Sequence, residues 1–410
     1  MSNWLIARNR NYRLLFSGSL SSNLADGISV VALPWLATIL SEDPVMIAMV
    51  AAAQRLPWFL FALPIGVLTD RADRRLLMVR ADLMRALLMG ATLMLTLGAD
   101  SAEPSASAIW ALALIALLFG TAEVIRDNAA QTLLPSIVAS KDLERANGQM
   151  WSGEQITNLF IGPPLAGFLI AGGLALPFAI DASIYALTAL LIWMMVIPAR
   201  PKVDHERFWQ ALRDGITWMR AHSTILRLAI MLGLINAIFV GGLTILVLYA
   251  QDILQLSAGG YGLLLTSGAV GGVIGGLISP RVAKYLGPRN SLLLALALFI
   301  LPHLLLGYTS STSFAALALF VESLSGMLWN VVTVSYRQRH IPDDLLGRVN
   351  SIYRFFGWGS MPLGAMAAGT LVKLSEPTLG REAALHLPYQ TGSVILVLLL
   401  IYGALRLRIE

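Results

Sequence analysis

No cysteine occurs anywhere in the 410-residue chain, which excludes disulfides, thiolate metal sites and cysteine nucleophiles. Charge is scarce too: Asp, Glu, Lys and Arg make up 13% of the residues, about half of the roughly one quarter that a soluble domain carries. No Gly-x-x-x-x-Gly-Lys-[Ser/Thr] segment is present, which argues against a chain that itself draws on ATP. The histidines, His205, His222, His303, His340 and His386, are scattered and none forms His-Glu-x-x-His, so neither a metal nor another cofactor is indicated. The net charge of +5 comes from short basic loops rather than one patch, and no nucleic-acid partner is expected.

What fills the chain instead is apolar: 57% hydrophobic residues and a mean hydropathy of +0.71. A helix that crosses a bilayer needs about 20 largely apolar residues. Apolar runs between charged or Gly/Pro punctuation predict twelve such helices, near 14–40, 45–68, 76–98, 108–134, 148–172, 177–198, 223–250, 258–279, 290–308, 313–336, 350–373 and 387–405. The fold class is thus an all-α polytopic membrane protein. Arg8, Arg10 and Arg13 precede the first run without a small-residue cleavage site after a short apolar core, so that run reads as a retained span.

Counting basic residues sets the orientation. Alternate loops on one side hold 23 of the 29 Lys and Arg, the opposite loops hold Lys373 and Arg381, and Arg55, Arg85, Arg126 and Arg354 fall inside spans. The positive-inside rule then puts both termini in the cytoplasm, as for a protein of the inner (plasma) membrane. The longest polar connection divides the chain into a half at 1–198, a cytoplasmic segment at 199–222 and a half at 223–410. In that segment Phe208, Leu212, Ile216 and Met219 recur at helical spacing opposite Arg207, Arg213 and Arg220, a pattern for a membrane-surface helix or a plain tether.

The halves repeat weakly. Leu143-Glu144-Arg145-Ala146-Asn147 returns as Leu346-Gly347-Arg348-Val349-Asn350, and Gly66 with its basic loop to Arg75 is echoed by Gly276 to Arg289. Two six-helix halves in parallel repeat describe a transporter with its site between them. The stripe Gly268, Gly272 and Gly276 reads as helix packing, because a dinucleotide loop requires a preceding strand.

After span two the chain reads Gly66-Val67-Leu68-Thr69-Asp70-Arg71-Ala72-Asp73-Arg74-Arg75. This resembles the cytoplasmic signature of the major facilitator superfamily, with Asp73 where that family usually has glycine. Gly162-Pro163-Pro164-Leu165-Ala166-Gly167 in span five resembles the superfamily's antiporter motif, with Ala166 in place of a glycine; a prolyl kink at a helix contact is the plainer reading. Together with Asn23 to Gly27, Arg126-Asp127-Asn128 and the Leu346 to Asn350 segment, these residues resemble the branch of macrolide, enterobactin and mycobacterial multidrug exporters. The resemblance implies proton-coupled efflux of lipophilic or amphipathic small molecules by a monomer, with Gly66, Asp70, Arg71, Arg74 and Arg75 in a cytoplasmic gate. A siderophore or lipid exporter, or an uptake symporter, fits the same fold. An intramembrane enzyme would need a nucleophile, a metal or paired catalytic aspartates, and no such set is found.

Ionisable residues inside spans cost about 2.5–3.5 kcal/mol each on insertion scales, so each is a candidate for function. Asp26, Arg55, Glu123, Arg126, Asp127, Glu154 and Glu322 form that set of proton- or substrate-site candidates. Glu123, Arg126 and Asp127 share one helix face. Arg55 is the expected partner of Asp26, and Asp26 the expected proton carrier with Glu322 in reserve.

Overall fold

The computed structural model describes residues 5–61, 64–65, 69, 72–98, 106–139, 142–197 and 208–407. Gly66, Asp70 and Arg71 of the proposed gate lie outside them. Among the described residues the regular structure is entirely helical. In chain order the helices are α1 Leu5–Arg8, α2 Arg10–Leu40, α3 Pro44–Leu60, α4 Arg74–Gly98, α5 Ala106–Ile137, α6 Leu143–Glu154, α7 Gly162–Gly172 and α8 Leu176–Trp193. They continue with α9 Phe208–Ala221, α10 Ser223–Leu248, α11 Ala258–Tyr308, α12 Thr312–His340, α13 Asp343–Gly359, α14 Met361–Leu379 and α15 Arg381–Arg406. Wider π-helical turns join α6 to α7 at Gln155–Ile161 and extend α10 at Tyr249–Ile253.

Local chemistry explains the boundaries. Asn9 caps α2 by accepting the Tyr12 N–H at 2.9 Å, and Asp43 accepts the Val45 N–H at 2.9 Å ahead of Pro44 at the first position of α3. Asp73, the departure from the usual glycine, accepts the Leu76 N–H at 3.2 Å and so starts α4. Pro163 removes a backbone donor and crowds the preceding turn, and the helix answers with the π turn just before it. Within the 51 residues of α11, Gly287 at φ 75° followed by Pro288 breaks the rod into two successive helices.

Eight helical stretches among the described residues are long and apolar enough to cross a membrane. The helix α4, which is not one of these eight, packs in the reverse of a soluble protein's manner. On α4 the buried side holds Asp82, Arg85 and Thr92, while Leu83, Leu87, Met94 and Leu97 are exposed. Lipid is as apolar as leucine, so polar groups turn inward to find partners and large apolar side chains turn outward. The chain is an all-helical, multi-pass membrane protein.

Packing forms two compact units. The first comprises Met1–Glu42, Met49–Val203 and Leu256–Leu263; the second comprises Asp43–Ala48, Asp204–Gln255 and Leu264–Glu410. The core of the first gathers Tyr12, Leu15, Met78, Leu133 and Ile192. That of the second gathers Leu228, Leu296, Phe299, Trp329 and Tyr353. Residues 43–48 join the second unit where Asp43 pairs with the Lys373 ammonium of α14. Burial pushes the Asp43 carboxyl up, but hydrogen bonds from Lys373 and the backbone of Val45 and Met46 outweigh it and hold the group below its ordinary value.

The internal repeat is visible as shared capping chemistry. In the first unit Arg75 donates to the Met195 carbonyl at 2.7 Å, Arg74 to that of Thr132 at 2.7 Å and Asn11 to that of Val196 at 2.7 Å. In the second, Arg289 donates to Leu407 and Ala404 at 3.0 and 2.7 Å and Arg227 to Arg406 at 2.7 Å. Apart from the Thr132 carbonyl, which lies a turn inside α5, the acceptors sit at or just past a helix C-terminus, where carbonyls lack intrahelical partners and the macrodipole favours the arginines. The segment expected either on the membrane surface or as a tether forms α9, whose Met219 is buried in one cluster with Val349, Ile352 and Tyr353 of α13.

Candidate functional site

The densest polar cluster lies inside the first unit, between α2, α4, α5 and α8. Its centre is the Arg85 guanidinium on α4, fully buried. One nitrogen, Nη1, reaches Asp26 Oδ1 of α2 at 3.0 Å. The other, Nη2, donates to Ser22 Oγ at 2.9 Å and to Asp82 Oδ1 one turn back on its own helix. The Tyr185 hydroxyl of α8 also donates to Asp26 Oδ1, at 2.7 Å, and its ring lies 4.3 Å from the guanidinium carbon. Such a fork, held by two carboxylates and a hydroxyl and stacked on an aromatic face, is a role that lysine's point charge does not fill.

A second guanidinium extends the cluster. Arg126 of α5 stands 3.8 Å from Asp82 and 3.6 Å from Asp127, and donates to Ser19 Oγ at 3.1 Å. Asp82, Arg85 and Arg126 are buried, and each guanidinium faces two carboxylates, Arg85 those of Asp26 and Asp82 and Arg126 those of Asp82 and Asp127, which is how ions become tolerable away from water. Nearby, Asp181 of α8 accepts from Ser29 at 2.8 Å, and its second oxygen is buried without a partner.

The structure corrects one pairing. The guanidinium facing Asp26 belongs to Arg85 on span three and not to Arg55 on span two; Arg55 acts on the charge of Glu123 instead. Of the other sequence candidates, Glu123 and Asp127 lie within electrostatic range of Asp26, and Glu154 at the end of α6 within range of Asp127. Arg85, Asp82, Asp181 and Tyr185 escaped the sequence-based set. The signal was present: Asp82 and Arg85 are opposite charges three residues apart inside an apolar run, a spacing that pairs them on one helix face. Asp181, five residues into span six, met the same cost criterion that singled out Asp26.

Gly162 of the antiporter-like motif sits back to back with Gly27 of α2: a Cβ on Gly162 would fall 2.6 Å from the Gly27 Cα. Gly167 presents its bare backbone to Ala258 in the same unit, and Pro163 and Pro164 begin α7. The motif here is a surface of close helix approach.

Glu322 lies apart from all of these, in the second unit. It is buried on α12 with His303 Nδ1 of α11 at 3.6 Å, beside a cavity lined also by Gly242, Pro302 and Tyr389. Among the described residues no group of three or more His, Cys, Asp or Glu could hold a metal ion.

The family described as transmembrane secretion effector matches residues 1–406. The multidrug efflux pump Tap of Mycobacterium tuberculosis H37Rv is 25% identical over 381 residues, covering 87% of this chain and 86% of that protein. The enterobactin exporter EntS of Escherichia coli O127:H6 is 25% identical over 385 residues, covering 91% and 88%. In fold, the nucleoside transporter NupG superposes with a TM-score of 0.73 at 14% identity, covering 98% of this chain and 100% of its own. A bacterial homologue of the iron transporter ferroportin does so at 0.74 and 18%, covering 97% and 99%.

Proposed function

The chain belongs to the transmembrane secretion effector family of the major facilitator superfamily, and from that footing we propose that it is a secondary exporter of lipophilic or amphipathic compounds that exchanges them for protons by alternating access. It is a transporter and not an enzyme. The observation that carries the reading is the ion-pair network of Asp26, Asp82, Arg85 and Arg126 among the helices of one unit. Four ions held in an apolar unit are costly for a scaffold alone and are characteristic of transport proteins. The efflux function named for Tap supports the direction. The likeness to an enterobactin exporter favours a siderophore as a second cargo on the same fold.

Cells that make the protein should accumulate several-fold less ethidium than cells that lack it, and a protonophore should abolish the difference. Equal accumulation in both, across a panel that also includes neutral lipophilic dyes, would rule out multidrug-type export.

The proposal includes twelve crossings in the inner membrane, a monomer, and both termini in the cytoplasm. Because no native cysteine competes, Ser101→Cys should react with an impermeant maleimide on intact cells and Ala199→Cys only after lysis. Labelling of Ala199→Cys on intact cells would overturn the orientation.

A further inference from the structure

We propose that Glu322 and His303 form the proton-binding site of this transporter, housed in the second unit, while the Asp26 cluster of the first unit supplies fixed charge. This rests on the exchange reading given above and names the residues that would load the proton.

Asp26 already has a guanidinium at 3.0 Å and a phenolic donor at 2.7 Å. Its charge is answered by the protein itself. Glu322 differs on both counts: it is 6% exposed, and its Oε2 is buried without a hydrogen-bond partner. From α10 it faces Phe239, Gly242, Leu243 and Leu246, none of them ionisable. From α11 it faces His303 and from α15 Tyr389, and these are the titratable groups around it. Tyr389 is committed elsewhere, donating to the Gly242 carbonyl at 2.8 Å.

His303 is oriented for the task. Its Nδ1 lies 3.1 Å from the Phe299 carbonyl and 3.6 Å from the Glu322 carboxyl, so the carbonyl fixes the ring beside the acid. The cavity at the pair has a volume of about 30 Å³, room for about two water molecules. Water there can carry the proton to and from the pair. With one proton bound, the pair is neutral overall, either as a carboxylic acid beside imidazole or as carboxylate beside imidazolium. Releasing that proton to the cavity water leaves one uncompensated negative charge among apolar walls, a state that favours rearrangement of the helices around it. No further reactant is required.

Two measurements on protein in proteoliposomes separate this site from the broader reading. With ethidium as probe, Glu322→Gln should lower uptake driven by an imposed pH gradient at least tenfold and leave gradient-free ethidium counterflow near wild type. A merely structural glutamate would lose both. In infrared difference spectra between acid and alkaline pH, the carboxylic-acid C=O band should be reduced in Glu322→Gln, and His303→Gln should shift the midpoint of that band. Gradient-driven uptake retained by Glu322→Gln, or an unchanged infrared difference, would overturn the proposal. If wild type shows no gradient-driven uptake, the exchange reading fails and the infrared comparison alone decides the site. If Glu322→Gln does not fold, His303→Gln carries the test: a shifted midpoint upholds the site and an unshifted one overturns it.

Discussion

Replacing Arg85 by methionine is expected to destabilise the protein by about 3–5 kcal/mol, the range for removing one partner of a buried ion pair, and to abolish export. Methionine fills much of the arginine's space, so the effect comes from charge rather than from a cavity. Without Arg85, the Asp26 carboxylate loses its guanidinium and Asp82 keeps only Arg126, which Asp127 shares. Ser22 and Tyr185 also lose the group that organises them. A thermal melt of the detergent-solubilised protein should show the loss, with ethidium efflux absent. The double variant Arg85→Met, Asp82→Asn removes one charge of each sign, leaves the sum of the cluster as in the wild type, and should recover a large part of the lost stability without recovering efflux. That non-additivity is the signature of residues in one network. Arg85→Lys should fold yet export at least tenfold less, because an ammonium does not reach Asp26, Asp82 and Ser22 at once. Wild-type melting of the single methionine variant would remove the cluster from any central role.

The second large effect is steric. Gly27→Val should prevent accumulation of folded protein or leave it without efflux. An added Cβ at Gly27 overlaps the Asn158 carbonyl oxygen, and one at Gly162 falls 2.6 Å from the Gly27 Cα. Both obstructions are backbone, which has no rotamer to yield. Even alanine requires α2 to move away from the π turn and α7, and overpacking of this kind costs about 1–3 kcal/mol. Gly27→Ala and Gly162→Ala disturb the same contact, so combining them should cost less than the sum. Gly90→Ala on α4 is the comparison. Nothing lies within 4 Å of its added Cβ, and the change should be neutral or stabilising by up to about 1 kcal/mol. Melting temperature and efflux measured on all five variants would settle the point, and wild-type values for Gly27→Ala would refute the close-contact role.

Much of this molecule is legible without coordinates. A bilayer is a uniform apolar solvent, so a span is a local property: about 20 apolar residues in a row suffice to identify one. The cost of an ion in that solvent is local too, and it marked Asp26 and Glu322 from single positions. The proposed orientation rests on loop arginines, and the repeat on two short strings of letters. Arg75 and Arg289, at the ends of the two loops that echo each other, both donate to carbonyls at helix ends.

Which ion meets which is another matter. Asp26 and Arg85 are 59 residues apart and Asp26 and Tyr185 are 159 apart; Arg55, nearer in sequence, is not the partner. The requirement for a counter-charge is read from one residue, but the choice among several arginines depends on helix rotation and depth, set by packing along whole helices. The same holds for Gly27 and Gly162, each visible as a small residue in a span and meaningful only because two backbones meet there. Composition and hydropathy therefore determined the class of fold and the residues that need partners. Only the tertiary structure decided the partners, because a pair interaction depends on the distance between two side chains, and that distance is a property of the packed helices.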